Sequence, residues 1–175
     1  MTKILPRSLA TTSPEKLTNR VIGSGPNFPF QFTDNGSVKS VLVASGPKKI
    51  NQSIWTILST RKGERVGRPA FGSNLQRLVF EPNDDVLWSR LEESTAEALR
   101  IWERRIRIIR VTAIPPSEMS PNKLATALQT KEYIDYMRSG SIVGIYVEYV
   151  ILRTNQVGSF VYPFVLQTAP LSYGV

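Results

Sequence analysis

The sequence contains no cysteine and no histidine among its 175 residues. Without cysteine, neither a disulfide framework nor a thiolate metal site can form. Without histidine, the chain lacks the commonest general base, the commonest zinc ligand and every nucleophile that depends on a neighbouring imidazole. These absences close most of the usual catalytic chemistries, and we expect no cofactor and no metal site.

Long apolar runs are also missing, because no window approaches the ~20 residues of a membrane-spanning helix. The first residues, from Met1 to Arg7, lack the continuous apolar segment of a signal peptide. We therefore expect a protein that is cytoplasmic when it is made and that does not insert into a membrane.

Acidic residues are outnumbered, since 22 Lys+Arg against 14 Asp+Glu give a formal charge of +8. A basic balance favours an anionic partner such as nucleic acid or an acidic protein surface, although it also serves solubility. The densest basic stretch lies between residues 100 and 110, where only Trp102 supplies an aromatic ring. Because single-stranded nucleic-acid platforms interleave rings with charge, nucleic-acid binding is the less favoured interpretation.

The N-terminal part, residues 1–36, is rich in Pro, Ser, Thr, Asn and Gly and predicts an extended arm. Its aromatic residues Phe28, Phe30 and Phe32 alternate along the chain. The polar first part cannot bury much apolar surface, so we expect the arm to be ordered only by packing on the body or on another component. Asn35–Gly36 predicts a turn, and residues 38–44 predict a short strand.

Two amphipathic helices are predicted. The first runs from about Gly46 to Lys62, with Ser45 as its N-cap and Gly63 at its stop. The second is capped by Asn83 and ends near Glu103, after an irregular loop over residues 64–82. Apolar spacing predicts a buried face on each helix. The predicted buried residues are Ile50, Ile54, Ile57 and Leu58 in the first helix, and Leu87, Leu91, Thr95, Ala98, Leu99 and Trp102 in the second.

After the second helix, the spacing of apolar residues changes from a helical period to the alternation that is typical of strands. Residues 105–114 predict a strand whose apolar phase slips between Ile108 and Ile109, which indicates a bulge or a strand covered on both faces. Residues 141–153 and 159–167 predict a β-hairpin, and Pro163 indicates an edge strand. Residues 115–140 form an insertion with a predicted helix over Leu124 to Met137, and residues 168–175 form a C-terminal tail.

The carboxylates need individual explanations. Glu103 stands at a predicted helix C-terminus, where the macrodipole disfavours negative charge, so Arg65 or Arg105 is expected to hold it in a two-pronged pair. Spacing alone favours the alternative that these charges are solvated, with each pair worth well under ~1 kcal/mol. Glu64, Glu81 and Glu103 could also supply a glycosidase pair, but nothing in the sequence fixes two carboxylates across a cleft.

Seven short segments over residues 27–167 occur in an order and spacing that resembles a known family. The segments are Ile50–Ile54, Thr60–Arg65, Pro69–Ser73, Phe80–Pro82, Trp102–Ile106, Tyr149–Asn155 and Tyr162–Phe164. Together they resemble the gene-twenty-five-like (GPW/gene-25-type) baseplate wedge family of contractile phage tails, type VI secretion and extracellular contractile injection systems. The family signature at the end of the second helix is Glu-Pro-Arg, which Glu103 and Arg105 match, whereas Arg104 replaces the proline.

The resemblance implies an α+β fold with two principal helices packed on a small, mostly antiparallel sheet that ends in a C-terminal β-hairpin. This sheet would be similar to the strand-exchanging core of sheath subunits. The wedge domain would span residues 37–167 and be a structural component rather than an enzyme. It would be present in six copies per baseplate, with the sheath subunit, other wedge proteins and the spike, hub and tube-initiating proteins as partners.

The resemblance also implies a charge cluster, and we expect the C-terminal strands to face the sheath. The expected cluster comprises Glu64, Arg65, Glu103 and Arg105. The expected sheath-facing residues are Tyr146, Glu148, Val150, Tyr162 and Phe164. The alternative function is a regulatory protein-binding module related to the anti-adaptor branch of the same fold. The sequence leaves open whether the particle is a phage tail, a type VI system or another injection device.

Overall fold

The computed structural model describes residues 22–27, 32–34, 39–115 and 142–166. The chain divides into two compact units, residues 1–49 and residues 50–175. Several predicted features lie outside the described residues: the arm before residue 22, Phe28 and Phe30, the turn at Asn35–Gly36, the insertion after residue 115 with its predicted helix, and the tail at 168–175.

The described residues of the first unit form two short antiparallel ladders. Strand β1 (Ser24–Pro26) pairs with β4 (Val43–Ser45), and β2 (Phe32–Asp34) pairs with β3 (Lys39–Val41). The carbonyl of Leu42, between β3 and β4, accepts a hydrogen bond of 2.8 Å from the Asn27 backbone N–H. The short strand predicted over residues 38–44 is thus divided into β3 and β4, because the chain changes its pairing partner at Leu42.

Helix α1 (Pro47–Ser59) buries Ile50, Ile54, Ile57 and Leu58, which confirms the predicted apolar stripe. The predicted stop at Gly63 is wrong, since the helix ends before it. The hydroxyl of Ser73 donates a buried hydrogen bond of 2.9 Å to the carbonyl of Leu58. A distant serine therefore satisfies a carbonyl that the end of the helix leaves without an intrahelical donor.

The loop after α1 returns to the end of that helix. The Ser73 N–H donates to the Thr60 carbonyl at 2.9 Å, and the Lys62 N–H donates to the Ser73 carbonyl at 3.2 Å. Gly72 has a φ of 108°, and a Cβ atom built on it would lie 2.3 Å from the Thr60 carbonyl oxygen. Only glycine permits this close backbone approach. A short 3-10 helix, Leu75–Arg77, follows.

Helix α2 (Asp85–Trp102) begins with Asp84 as its N-cap, whose carboxylate accepts a hydrogen bond of 2.8 Å from the Leu87 N–H. The prediction that Asn83 caps the helix is wrong, because its side-chain oxygen instead accepts from the Trp88 indole N–H at 2.7 Å. The predicted buried face is confirmed except for Trp102, which is half-buried. Its buried residues are Leu87, Leu91, Thr95, Ala98 and Leu99.

The second unit contains an antiparallel sheet in the order β5–β6–β7. Its strands are β5 (Ile106–Ile114), β6 (Ile142–Ile151) and β7 (Val157–Val165). The β5–β6 register shifts between Ile108 and Arg110, which confirms the predicted irregularity. The β6–β7 hairpin is confirmed as well. Pro163 of β7 lies opposite Gly144 of β6. In the described sheet, β7 is an edge strand.

Both helices pack on this sheet. Helix α2 lies along β5, and from α1 the indole ring of Trp55 lies 6.4 Å from the ring of Phe160 and 5.2 Å from that of Tyr162. The predicted α+β class, with two principal helices on an antiparallel sheet and a C-terminal hairpin, is therefore confirmed. No helix in the described ranges is both long and apolar enough to span a membrane.

We expect Gly72→Ala to destabilise the protein more than Gly67→Ala. Both glycines have positive φ, but a Cβ atom at Gly67 would meet nothing within 4 Å. The left-handed backbone alone costs about 1–2 kcal/mol for an L-residue, and overpacking against the Thr60 carbonyl adds about 1–3 kcal/mol. Urea unfolding of both variants measures the difference. An equal decrease in the free energy of unfolding for both variants would show that the backbone at Thr60 can move to accommodate a Cβ atom at residue 72.

Candidate functional site

The charged pair at the corner between α2 and β5 is the best-defined polar site of the second unit. The Glu103 carboxylate accepts hydrogen bonds from Arg105 Nε at 2.7 Å and from Arg105 Nη2 at 2.5 Å. Glu103 is only 3% exposed, whereas the Arg105 side chain is 35% exposed. A two-pronged guanidinium–carboxylate pair of this kind fixes orientation as well as charge.

Local backbone geometry makes this pair possible. The helix ends at Trp102, and Glu103 adopts φ −112° and ψ 77° while its N–H still donates to the Leu99 carbonyl at 2.9 Å. The chain then enters β5 at Ile106, so the side chains of Glu103 and Arg105 lie on the same side of the turn. The backbone N–H of Arg105 adds a third, longer hydrogen bond of 3.3 Å to the carboxylate.

The first helix contributes to the same site. Burial raises the pKa of Glu103, but the hydrogen bonds from Arg105 and Ser53 and the charge of Arg105 outweigh burial and hold this pKa below its ordinary value. The hydrogen bond to Glu103 raises the pKa of Arg105 against the opposing effect of its burial. Glu103 is therefore a fixed carboxylate near neutral pH, shared between α1 and the α2–β5 corner.

A second polar contact joins α1 to the sheet beside this corner. The hydroxyl of Tyr149 in β6 donates a hydrogen bond of 2.5 Å to the side-chain oxygen of Asn51. Burial, followed by the charge of Glu103, raises the pKa of Tyr149 to about 12. The roles of Asn51, Ser53 and Tyr149 were not predicted from the sequence. The available signal was the pair of polar residues, Asn51 and Ser53, enclosed between the core residues Ile50 and Ile54.

Glu64 and Arg65 do not join this pair. The Glu64 carboxylate accepts from the Arg61 backbone N–H at 2.9 Å. The Arg65 guanidinium carbon lies 4.8 Å from the centre of the Phe71 ring. Phe71 in turn packs edge-on against Trp102, with 5.1 Å between ring centres. The described structure thus gives Arg65 an aromatic partner, and the expected four-residue cluster divides into three separate contacts: Glu64 with the Arg61 N–H, Arg65 with Phe71, and Glu103 with Arg105.

The five residues expected to face the sheath lie on both faces of the sheet. Tyr146, Glu148 and Val150 alternate along β6 with residues that are buried, and they are half-buried themselves. Tyr162 and Phe164 pair in register with Ile145 and Val143, which are fully buried. The last two therefore belong to the core face, where Tyr162 already contacts Trp55.

The remaining carboxylates offer no assembled acid–base pair within the described part of the chain. Glu81 is held by Arg90 through contacts of 2.8 and 2.9 Å, and Glu103 is held by Arg105. No group of three or more metal-ligating side chains occurs in the described ranges. The geometry of these side chains supports fixed structural contacts.

The fold and this site define a small α+β domain whose helices and sheet meet at a buried ion pair. A family model described as "Baseplate wedge protein gp25" matches residues 44–133, which contain both helices and the Glu103–Arg105 pair. The chain belongs to this baseplate wedge protein family.

Individual relatives agree with this assignment. The chain is 34% identical over 77 residues to baseplate wedge protein gp25 of Enterobacteria phage T4, a match that covers 44% of this chain and 58% of that protein. The chain thus spans little more than half the length of this curated relative.

Two solved structures share the fold. A protein from Geobacter sulfurreducens that is named as a tail lysozyme is 31% identical, with a TM-score of 0.55, and the match covers 75% of this chain and all of that one. A chain of the anti-feeding prophage baseplate is 16% identical, with a TM-score of 0.52 and coverage of 85% and 90%. The second likeness concerns the fold alone.

We expect Arg105→Ala to destabilise the protein by about 3 kcal/mol, because it leaves the Glu103 carboxylate buried without its main partner. For a chain of this size the melting temperature should fall by about 10 °C. Arg104→Ala is the matched control, because the neighbouring Arg104 is exposed and should change stability by no more than ~0.5 kcal/mol. Thermal unfolding of both variants measures this, and equal melting temperatures would mean that the pair contributes nothing to stability.

The lowered pKa of Glu103 predicts acid sensitivity. A carboxylate whose pKa is lower in the folded state contributes stability above its unfolded pKa, about 4.3, and loses that contribution as the pH falls through the folded value. The wild-type free energy of unfolding should therefore decline below about pH 4.3 more steeply than that of Glu103→Gln. Urea titrations at about pH 7 and about pH 3 compare the two proteins, and parallel declines would contradict the expectation.

Proposed function

We propose that this protein is a structural wedge component of the baseplate of a contractile injection machine. It links the hub and the other wedge proteins to the first sheath ring and templates sheath assembly by strand addition. Membership of the baseplate wedge family is the observation that carries this proposal. Six copies per particle and an origin in the cytoplasm belong to the same proposal.

The second unit has suitable surfaces for such a linker. The described sheet has two edge strands, β5 and β7, and main-chain hydrogen bonds across a sheet edge supply affinity in strand addition. Three arginines near the α2–β5 corner, Arg100, Arg104 and Arg107, are exposed and offer positive charge to acidic partner surfaces. The exposed Arg110 is already paired with Glu148 at 3.4 Å.

In the proposed function the wedge domain comprises residues 37–167, and its N-terminal arm packs on the body or on a neighbouring component. Glu103 and Arg105 act as a structural pair that keeps the corner between α2 and β5 rigid. The exposed Arg65, stacked on Phe71, is available for contact with another wedge protein. The sheath-facing surface of the sheet is formed by Tyr146, Glu148 and Val150.

The proposed role is not enzymatic, although one structural relative is named as a tail lysozyme. Glycoside hydrolysis requires a general acid with a raised pKa together with a second carboxylate. The pKa of Glu103 is lowered instead, and Glu81 is held by Arg90. These observations support a structural role for both carboxylates.

We expect the purified protein to release no sugar from peptidoglycan, because Glu103 is held as a carboxylate by Arg105 and Glu81 is held by Arg90. Turbidity and reducing-sugar assays measure this, with an active lysozyme as the positive control. Turnover that is lost in Glu64→Gln or Glu103→Gln would contradict the proposal. Turnover that persists in both variants would indicate a contaminating enzyme.

We also expect sheath docking to slow amide exchange in the β6–β7 hairpin, because an added strand would protect edge N–H groups that are open to water in the free protein. Hydrogen exchange of peptides spanning residues 146–166 should be compared before and after the first sheath ring is added. Peptides from α2 serve as the internal control. Exchange that is unchanged throughout the sheet would refute strand addition while leaving the family assignment intact.

A regulatory protein-binding module is the second candidate, and it requires no particle. A tagged copy of the full chain recovered from native cells distinguishes the two. Sheath, tube and spike proteins should co-purify with it if the baseplate role holds. A response regulator without these proteins would favour the regulatory role.

A further inference from the structure

The two edges of the described sheet are not equivalent. Along an antiparallel strand, successive backbone N–H groups point alternately toward the neighbouring strand and away from it. The direction of a few observed hydrogen bonds therefore fixes which N–H groups are available at each edge.

On the β7 side, the Ile151 N–H donates to the Gln156 carbonyl at 2.9 Å. The β6–β7 register then directs the N–H groups of Phe160 and Tyr162 toward β6. Those of Val157, Ser159 and Val161 point outward, away from the sheet. Pro163 occupies the next outward position, where a residue without an N–H interrupts the row of donors.

On the β5 side, the Leu152 N–H donates to the Arg105 carbonyl at 3.0 Å. The same alternation directs the N–H groups of Val111 and Ala113 outward. The Ala113 N–H is already used, because it donates to the Glu92 carboxylate of α2 at 2.8 Å. The register shift between Ile108 and Arg110 further disrupts this edge. Helix α2 and the bulge together obstruct β5.

Exposure along β7 limits the open edge to its first half. On one face of the strand, Val157 is 65% exposed, Ser159 is exposed and Val161 is half-buried, whereas Pro163 is buried. Within the described ranges, no residue pairs with the outer side of β7. The three outward donors, Val157, Ser159 and Val161, thus lie in the more accessible half of the strand, before the proline.

We propose that strand addition to this protein is one-sided: an extended strand of the sheath subunit pairs with Val157–Val161 of β7, while Glu92 keeps β5 closed. This inference rests on the proposed function and adds the edge, the register and the residue that blocks the other edge. Main-chain carbonyls of the incoming strand accept from Ser159 and Val161, and the pairing ends at Pro163.

The side chains beside this edge define the partner's chemistry. Val157, Ser159 and Val161 share one face of the sheet with Val150, Glu148 and Tyr146. The incoming strand therefore carries apolar or β-branched residues at the positions that flank Val157 and Val161. About five extended residues suffice, since the open segment is short.

The first experiment measures residue-resolved amide exchange in the full chain, alone and in particles to which purified sheath subunit has been added. In the free protein, the Ala113 amide should exchange at least tenfold more slowly than those of Ser159 and Val161. After sheath addition, Ser159 and Val161 should slow at least tenfold and Val111 should stay unchanged.

The outcomes separate the two proposals. Slowing at Val111 instead of Ser159 would overturn the edge assignment and leave strand addition intact. Slowing at both edges would overturn the one-sided mechanism. No slowing at either edge would refute strand addition itself, and with it this inference.

Variants test directly the outward N–H of Ser159 in β7 and the hydrogen bond from the Ala113 N–H to Glu92 in β5. Ser159→Pro removes one outward N–H, whereas Ser159→Ala keeps it and is the matched control. Loss of one such hydrogen bond should weaken sheath binding about tenfold, and Ser159→Ala should bind within about twofold of wild type. Equal binding by both variants would overturn the role of β7.

Glu92→Ala tests whether Glu92 closes β5. In the free protein this variant should speed Ala113 exchange at least tenfold, while Glu93→Ala, its exposed neighbour on α2, should not. Unchanged Ala113 exchange in Glu92→Ala would show that Glu92 is not what protects this edge. This measurement does not depend on sheath binding and still stands if Ser159→Pro fails to fold.

Discussion

The buried ion pair between Glu103 and Arg105 is the interaction around which the second unit is arranged. A carboxylate that is 3% exposed must be compensated, because an unpaired buried charge costs several kcal/mol. Three elements meet that requirement together: α1 through Ser53, the end of α2 through Glu103 and the start of β5 through Arg105. The corner between helix and strand is therefore fixed by chemistry as well as by apolar packing.

The contacts around this corner extend its influence. Tyr149 connects β6 to α1 through Asn51, and the charge of Glu103 contributes to the raised pKa of that tyrosine. Trp102, next to Glu103 in the chain, makes an edge-to-face contact with the Phe71 ring, and the Arg65 guanidinium lies over that same Phe71 ring. A fixed corner of this kind suits a linker, since partner surfaces on the helix and on the sheet then keep a constant geometry.

The two edges of the described sheet are protected against strand pairing in different ways. Strand edges invite uncontrolled pairing, and natural proteins block them with charged side chains, prolines and bulges. This chain uses all three: Glu92 covers an N–H of β5, a bulge interrupts β5 at Ile109, and Pro163 interrupts β7. If strand addition is one-sided, as we propose, a short segment of β7 before Pro163 is the accessible edge of the described sheet, and such a segment selects for register as well as for partner.

The sequence by itself determined the features that depend on neighbours along the chain. Helical spacing identified the buried stripes of both helices, a slip in alternation located the bulge in β5, and a turn between two β-branched runs identified the hairpin. For Glu103 and Arg105, spacing alone favoured solvated charges, and the resemblance to the baseplate wedge family was what indicated a charge cluster. Periodicity encodes such features, since one face of each element must be apolar.

Only the tertiary structure decided which distant groups meet. Ser73 satisfies the Leu58 carbonyl at the end of α1, and Asp84 instead of Asn83 caps α2, while Asn83 accepts from Trp88. Arg65 stacks on Phe71 instead of binding Glu103. These choices depend on groups brought together by folding, as with Asn51 and Tyr149, 98 residues apart. No local pattern records such pairings, because several equivalent donors and acceptors compete for each partner.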